Sequence, residues 1–142
     1  MTTGSSEYAK PLPRAENPPL TQPFWDAAKR HELIIPRCKT CDKPHFYPRE
    51  QCPWCASKEL EWVPASGKGR LHSYTVIRQP VNRNFQPDVP YAYCIIQLDE
   101  GVRMISNLVG CRIPEDLKMD MPVVAEFDDV TPDWTLVKFK PA

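Results

Sequence analysis

Apolar residues follow no regular period at the start of this chain and become periodic after about twenty residues. Over residues 1–20, four prolines, at positions 11, 13, 18 and 19, prevent a regular helix or strand. We therefore expect this segment to be a flexible, proline-rich arm. Beyond Gln22-Pro23 one apolar stripe follows, made by Phe24, Trp25, Ala28 and Leu33. Because proline is favoured in a first helical turn, the stripe predicts a helix of about three turns.

The second half of the chain is dominated by short runs of aromatic and β-branched residues. Five such runs, separated by turn residues, occupy residues 71–77, 91–98, 102–108, 123–127 and 135–139. Five strands of this length predict a small closed Greek-key barrel, for which an OB-fold is the leading candidate. The 13 residues from Arg78 to Pro90 form a long connection, and loops of such length are often functional.

Two cysteine pairs lie between the helix and the barrel, Cys38-Lys39-Thr40-Cys41 and Cys52-Pro53-Trp54-Cys55. Two such knuckles joined by a short hairpin present four thiolates at tetrahedral corners, which suits zinc and also admits iron. Four sulfurs leave no position for water or substrate, so we expect one structural zinc ion, held by Cys38, Cys41, Cys52 and Cys55. We expect His45, between the pairs, to be a surface or hairpin residue rather than a ligand.

Two other interpretations of the cysteines are weaker. A redox pair usually stands between a strand and a helix, and neither pair here precedes a helical pattern. Disulfides fit poorly, because the sequence starts without the charged-then-apolar pattern of a secretory leader. The two further cysteines, Cys94 and Cys111, stand in apolar strand-like runs, and we expect core thiols in a cytoplasmic protein. No apolar run approaches the roughly 20 residues that cross a bilayer.

These patterns together predict a mainly β protein with an N-terminal helix, a zinc ribbon and a five-stranded OB-fold barrel. The length of 142 residues has room for one ordinary domain and a small appendage. The expected boundaries are an arm over 1–20, the helix and ribbon over 21–65, and the barrel over 66–142. The stretch Ser66-Gly67-Lys68-Gly69 marks the last boundary.

Charge is balanced overall but unevenly placed. The 18 lysines and arginines match 18 aspartates and glutamates, which argues against a general nucleic-acid binder, since such proteins are usually basic. Residues 1–84, however, carry 13 basic and 8 acidic side chains, whereas residues 85–142 carry 5 and 10. A nucleic-acid-binding zinc-ribbon and OB-fold module is therefore the alternative function. Its candidate stacking aromatics are Tyr74, Phe85, Tyr91 and Tyr93.

No catalytic constellation is visible in the sequence. His31, His45 and His72 fall in three different elements, and no glycine-flanked serine, paired-carboxylate motif or phosphate-cradling loop occurs. A third hypothesis, an independent acyl-transfer or hydrolytic enzyme, needs Cys94 or Cys111 as a nucleophile together with a distant base. The sequence thus favours a protein without chemistry of its own.

The order of the motifs resembles that of a known family. The series is Phe24-Trp25, the first knuckle, Phe46-Tyr47-Pro48-Arg49, the second knuckle, Leu60-Glu61-Trp62, Ser66-Gly67-Lys68-Gly69, Ser73-Tyr74-Thr75-Val76, Leu98-Asp99-Glu100-Gly101 and Leu108-Val109-Gly110. Over about residues 20–140 the chain is similar to the thiolase-associated accessory proteins, which combine an N-terminal helix, a rubredoxin-like zinc ribbon and an OB-fold. In one departure, this chain has Asp120-Met121 where family members often carry a glycine before the fourth barrel strand.

The resemblance implies a non-catalytic subunit that binds a thiolase-like partner in a heterotetramer, with the reactive cysteine and histidines on the partner. The pair would catalyse thiolytic cleavage, Claisen condensation or retro-aldol cleavage of an acyl-CoA, whose site this chain helps to form. Such a ligand needs cations at its phosphates and a flat apolar surface at its adenine. The candidate contacts are Lys29, Arg30, Phe46, Tyr47 and Arg49, with Arg78 and Arg83 on the long loop as the alternative cations. Phe24-Trp25 either packs on the ribbon or forms part of the partner surface.

Overall fold

The computed structural model describes residues 8–12 and 18–142. Its first regular element is helix α1, Pro18–Lys29, which starts and ends earlier in the chain than the apolar stripe indicated. The helix ends because His31 takes a left-handed conformation with φ 61, and its N–H bonds back to the Ala28 carbonyl at 2.8 Å. Much of the arm expected over 1–20 lies outside the described residues. No helix among the described residues is long and apolar enough to cross a membrane.

Two antiparallel strands form the base of the ribbon. They are β1 (Ile34–Cys38) and β2 (Leu60–Pro64), paired so that Cys38 lies opposite Leu60. Both cysteine knuckles lie in the chain between these strands. Strand β1 therefore leads into the ribbon hairpin and strand β2 leads out of it.

Five strands form the barrel, in the sheet order β5-β4-β3-β6-β7. Their bounds are β3 Lys68–Ile77, β4 Tyr91–Leu98, β5 Arg103–Ser106, β6 Pro122–Asp129 and β7 Thr135–Pro141. All pairings are antiparallel. The two edges meet just after β5, where Leu108 bridges Phe139 in β7. The sheet therefore curls into the expected OB-fold architecture.

Strand β3 pairs with a neighbouring strand along each of its two edges. It pairs with β4 along its length and with β6 at its start, and a register shift between Leu71 and Ser73 places a bulge that bends it. At the start of the strand the neighbouring backbone comes very close. A Cβ atom on Gly69 would lie 2.4 Å from the Gln97 carbonyl oxygen, so only glycine fits there.

The turn before β6 carries Asp120 where the resemblance implies a glycine, and this aspartate has a glycine-type conformation. Asp120 has φ 66, a region that glycine prefers and aspartate tolerates. Its N–H donates to the Leu71 carbonyl at 2.8 Å, and the Leu71 N–H donates to the Met121 carbonyl at 2.9 Å. The departure therefore changes the residue type and leaves a well-formed turn.

One hydrophobic core joins the helix, the ribbon and the barrel. Strand β4 contributes its inward-facing residues Ala92, Cys94, Ile96 and Leu98. The same cluster of buried residues includes Phe24 of α1, together with Leu33 and Ile35 at the entry to the ribbon. Apolar packing therefore fixes the ribbon against the barrel.

Candidate metal centre and adjoining groove

Each cysteine pair sits in a tight turn of the same design. In the first turn, the Asp42 N–H donates to the Cys38 carbonyl at 2.9 Å; in the second, the Ala56 N–H donates to the Cys52 carbonyl at 2.9 Å. Asp42 and Ala56 both take left-handed conformations, with φ 67 and 64. Because the two turns repeat one geometry, they direct their thiols to a common point.

The four sulfurs have the spacing that zinc requires. Around an ion with zinc–sulfur distances of about 2.3 Å, tetrahedral sulfurs lie roughly 3.8 Å apart. The Cys38 and Cys55 sulfurs are 3.6 Å apart, as are those of Cys41 and Cys52, and all four lie within 4.8 Å of one another. Disulfide bonds would need separations of about 2.0 Å. The donor set therefore fits one structural zinc ion with no open coordination position.

A backbone hydrogen bond within the first knuckle favours the thiolate form of Cys38. The Cys41 backbone N–H points at the Cys38 sulfur at 3.5 Å, and this hydrogen bond lowers the pKa of the Cys38 thiol to about 6. The same knuckle is tied to the strands by Arg37, which bonds Glu61 of β2 at 3.0 Å and also pairs with Asp42. Since the thiolate is the ligating form, this hydrogen bond favours metal binding by Cys38.

His45 lies in the hairpin and is buried, with only 4 % of its surface exposed. Of the two positions expected for His45, the hairpin is therefore the one observed, and a surface position is wrong. The metal-capable cluster found among the described residues contains the four cysteines and not His45. Neither ring nitrogen has a hydrogen-bond partner in the described chain, and burial lowers the pKa of His45, with the Arg49 charge acting in the same direction. The buried, uncharged imidazole thus occupies interior space in a ribbon that has few apolar side chains.

An apolar groove of about 300 Å³ opens where α1, the ribbon and the barrel meet. Its main walls are Phe24 and Trp25 from α1, Phe46, Tyr47 and Pro48 from the ribbon, and Tyr93, Met104, Ile105, Leu136 and Val137 from the barrel. The Ile105 N–H donates to the Tyr47 hydroxyl at 3.3 Å, which ties the ribbon to the edge strand β5. The lining lysine, Lys138, is paired with Asp128 at 2.6 Å. The groove can therefore hold an apolar group and offers little for acid–base chemistry.

A chain of aromatic rings runs from the barrel to the ribbon beside this groove. The centroid distances are 5.2 Å for Trp134–Trp25, 5.0 Å for Trp25–Phe24, 5.5 Å for Phe24–Phe46 and 4.5 Å for Phe46–Tyr47. Phe24 therefore packs on the ribbon, which is one of the two positions expected for the pair Phe24-Trp25. Both aromatics of the pair also line the groove, and their contact with a partner stays a prediction.

The candidate phosphate-binding cations fall in three separate places: the end of α1 (Lys29, Arg30), the ribbon (Arg49), and the β3–β4 loop (Arg78, Arg83). Arg49 follows Pro48, which lines the groove, and the two residues together line a separate, smaller pocket. Arg30 is engaged by Glu32 at 3.4 Å. These cations thus belong to three different parts of the chain, and their contact with an acyl-CoA stays a prediction.

Neither remaining cysteine is suited to nucleophilic catalysis. Cys94 is fully buried in β4, and burial raises the pKa of its thiol to about 11. Cys111 is partly buried, and burial raises the pKa of its thiol as well. Both stay protonated at neutral pH, and a protonated thiol is a poor nucleophile. The prediction of a core thiol is confirmed for Cys94.

Sequence reasoning missed Ile105 in the barrel wall of the groove and named Tyr93 only as a stacking aromatic of the alternative function. Tyr93 and Ile105 occupy outward-facing positions, each 44 % exposed, while their strand neighbours Cys94 and Met104 point into the core. Large apolar residues at outward-facing strand positions are a signal of a binding surface. This signal was present in the alternation of β4 and was available before the structure.

Fold and site together define a class of protein in which a closed four-cysteine zinc ribbon is packed on an OB-fold barrel. Two family profiles match the chain in this order: the ChsH2 rubredoxin-like zinc ribbon domain over residues 25–61, and the ChsH2 C-terminal OB-fold domain over residues 62–128. The chain belongs to this family, and the resemblance inferred from its motifs is confirmed.

The relatives of this chain include a scaffold protein and two enzyme subunits. A DUF35 domain-containing scaffold protein of Methanocaldococcus jannaschii is 39% identical over 106 residues, 74% of each chain. A probable enoyl-CoA hydratase alpha subunit of Thermomonospora curvata is 38% identical over 120 residues, which are 84% of this chain and 37% of that protein. The benzoylsuccinyl-CoA thiolase subunit BbsA of Thauera aromatica is 29% identical over 110 residues, 73% of this chain and 71% of BbsA. This chain therefore spans little more than a third of the Thermomonospora protein.

The solved structure of an Ltp2-ChsH2(DUF35) aldolase contains a chain of the same fold. It superposes with a TM-score of 0.78 at 32% identity, covering 93% of this chain and 98% of that one. The helix, ribbon and barrel thus recur as one unit in a chain of this aldolase.

Proposed function

We propose that this chain is a non-catalytic, zinc-binding accessory subunit of a thiolase-like acyl-CoA enzyme. The reaction would be thiolytic cleavage, Claisen condensation or retro-aldol cleavage, and the reactive cysteine and histidines would lie on the partner. The observation that carries the proposal is the groove, which is apolar and is built by all three parts of the chain, including the ribbon segment between the two cysteine pairs. The names of the thiolase subunit and of the aldolase among the relatives support the same role.

The groove suits the apolar part of an acyl-CoA. Its aromatic and aliphatic walls can bury an acyl group, and Phe46 and Tyr47 would contact it from the ribbon. The phosphates of the same ligand would then meet Arg49, next to the groove residue Pro48, with Lys29 at the end of α1 and Arg30 just after it as further cations. Closure of the groove by the partner would make the acyl-CoA a ligand shared between subunits.

The partner surface would include the exposed rim of the groove. Tyr47, Tyr93 and Ile105 are each between 44% and 48% exposed, and together they form an apolar patch of the kind that protein interfaces cover. Trp25, together with Phe24 in contact with its ring, would lie at the margin of that interface. A heterotetramer acting in the cytoplasm is the expected assembly.

The test is reconstitution with a defined partner. Tagged chain is purified from its native cells, a co-purifying thiolase-like subunit is identified by mass spectrometry, and both are then produced separately and mixed with a series of acyl-CoA esters. We expect a stoichiometric complex that turns over an acyl-CoA, and no turnover by this chain alone. Ile105→Glu should weaken the complex at least about tenfold without loss of zinc, since it places a charge in the apolar rim. The matched control is Met119→Glu, at a residue that is 60% exposed and outside the groove.

Other results would lead to a different function. Turnover by the purified chain alone would make it an enzyme in its own right, and no thiolase-like subunit in the purified material would remove the accessory role. Salt-dependent binding of a single-stranded oligonucleotide would favour the nucleic-acid module instead. Among the aromatics of that alternative, Phe85 and Tyr91 pack on each other with centroids 6.1 Å apart, and Tyr93 lines the groove.

A further inference from the structure

A second cavity, of about 320 Å³, lies on the barrel beside the groove, and we call it the barrel pocket. Asn107, Leu136 and Lys138 line both cavities, so the two lie side by side. Aromatic, aliphatic and thiol side chains form part of the remaining wall, among them Phe85, Tyr91, Cys111 and Ile113. The proposed function uses the groove and gives the barrel pocket no part.

The N-terminal segment 8–12 lies against the barrel pocket as an extended chain. Tyr8, Lys10 and Leu12 are half-buried, whereas Ala9 and Pro11 between them are exposed. An extended backbone shows this alternation when one of its sides rests on a surface. Tyr8 and Lys10 both line the barrel pocket. The segment therefore forms one side of the pocket.

One ion pair ties the segment to the loop between β3 and β4. The Lys10 ammonium donates to the Asp88 carboxylate at 2.5 Å and lies over the Tyr8 ring, 5.6 Å from its centroid. The hydrogen bond to Asp88 raises the pKa of Lys10, and the charge of Asp128 acts in the same direction. Asp128 is itself bonded to Lys138 at 2.6 Å. Asp88 is therefore the carboxylate that holds Lys10 in place.

Side chains alone hold the segment on the barrel. No backbone hydrogen bond joins residues 8–12 to the rest of the described chain. The side chains of Lys10 and Asp88 are 27% and 39% exposed, and an ion pair that water reaches contributes little to stability. A segment with so few contacts opens locally while the strands beneath it stay folded. Residues 8–12 are thus a part of the pocket wall that can move.

We infer that residues 8–12 form a reversible strap on the barrel pocket, held closed by the Lys10–Asp88 ion pair. When the pair breaks, Tyr8 and Lys10 leave the pocket, and solvent or a small molecule reaches the side of the barrel where Cys111 lies. Because salt screens an ion pair that water reaches, high ionic strength opens the strap. The inference concerns the free chain and does not depend on the proposed function.

The rate at which a small, uncharged thiol reagent modifies Cys111 measures the opening of the strap, since Cys111 lines the barrel pocket and is partly buried. The full-length, zinc-loaded chain is treated with N-ethylmaleimide, and peptide mass spectrometry follows Cys111 separately from the other cysteines. Lys10→Asp removes the ion pair, and Lys10→Asp with Asp88→Lys restores opposite charges at the same two positions. The matched control, Lys58→Asp, makes the same charge change at an exposed lysine outside the pocket.

We expect Cys111 to react about fivefold faster in Lys10→Asp than in the parent chain, the upper end of what one water-exposed ion pair contributes. The double variant should return to near the parent rate, and Lys58→Asp should react like the parent. Sodium chloride at about 1 M should speed the reaction of the parent and leave that of Lys10→Asp nearly unchanged. Tyr8→Ala with Lys10→Ala, which removes both strap side chains without adding a charge, should also react faster than the parent.

Four results would overturn the inference. Equal rates in the parent and Lys10→Asp, or an unchanged rate in Tyr8→Ala with Lys10→Ala, would show that the segment does not close the pocket. A fast reaction in Lys10→Asp with Asp88→Lys would show that the ion pair is not what holds the strap. A faster reaction in Lys58→Asp would assign the effect to net charge. Zinc content and a circular dichroism melt show beforehand that each variant is folded, because global unfolding would also expose Cys111.

Discussion

Removal of zinc should unfold the ribbon hairpin and leave the barrel folded. Between Cys38 and Leu60 only His45 and Cys52 are buried, so this segment has almost no apolar core. Metal ligation, worth about 10–16 kcal/mol in small zinc peptides, must hold it in place. The protection of an amide cannot exceed the stability of the whole fold, about 5–15 kcal/mol. If removal of zinc lowers the free energy of opening of the ribbon hairpin by about 5–10 kcal/mol, its amides should exchange roughly four to seven orders of magnitude faster. The conversion is about 1.4 kcal/mol per factor of ten.

Hydrogen–deuterium exchange with mass spectrometry, with and without a chelator, measures this directly. We expect amides of residues 38–59 to lose protection and those of β4 to keep it. Cys52→Ser should reproduce the effect of the chelator, and Cys111→Ser, which changes a cysteine outside the metal site, should not. Retained protection over 38–59 in the metal-free protein would show that the ribbon is held by its own packing and would refute the argument from burial.

Three further changes test other parts of the structure. Gly69→Ala should destabilise the barrel by about 1–3 kcal/mol in urea unfolding, because the new Cβ would lie 2.4 Å from the Gln97 carbonyl oxygen; an unchanged midpoint would contradict this close approach. Because burial lowers the pKa of His45 in the folded state, the unfolded chain binds more protons as the pH falls below 6.5. The free energy of unfolding should therefore decrease below that pH, and less so in His45→Leu; parallel pH profiles would remove His45 as the cause. Iodoacetamide should leave Cys94 unmodified at neutral pH, since its thiol is fully buried and has a pKa of about 11; labelling of the native protein, detected by mass spectrometry, would show that β4 opens.

The metal ligands and the strands were predictable because their signals are local. Two CxxC pairs, each able to form one tight turn, specify a four-thiolate site without knowledge of the rest of the chain. The barrel strands were visible for a similar reason, since the alternation in residues 91–98 follows directly from burial of one face. The combined order of these motifs was also enough to identify the family.

The helix boundaries, His45 and the groove depend on contacts between distant residues. Helix α1 ends where His31 adopts a left-handed conformation, and no residue in that part of the sequence is a glycine that would have marked the end. His45 is buried because the ribbon folds over it. The groove requires Tyr47 and Ile105, 58 positions apart in the chain, to meet across the ribbon–barrel junction. Tertiary packing of this kind leaves no short-range pattern to read.

The metal site and the groove are linked through the ribbon, although the metal has no open coordination position. Phe46 and Tyr47 follow the first knuckle and form the ribbon wall of the groove, and the ring of Phe46 lies 5.5 Å from that of Phe24 in α1. If the hairpin unfolds without zinc, this wall is lost even though the barrel persists. A variant that loses both zinc and partner-dependent turnover would therefore be no evidence for zinc in the chemical step. Loss of the ribbon wall alone would also abolish turnover. The variant Ile105→Glu disrupts the barrel wall of the groove while zinc stays bound, so loss of turnover in this variant would be due to the groove and not to zinc.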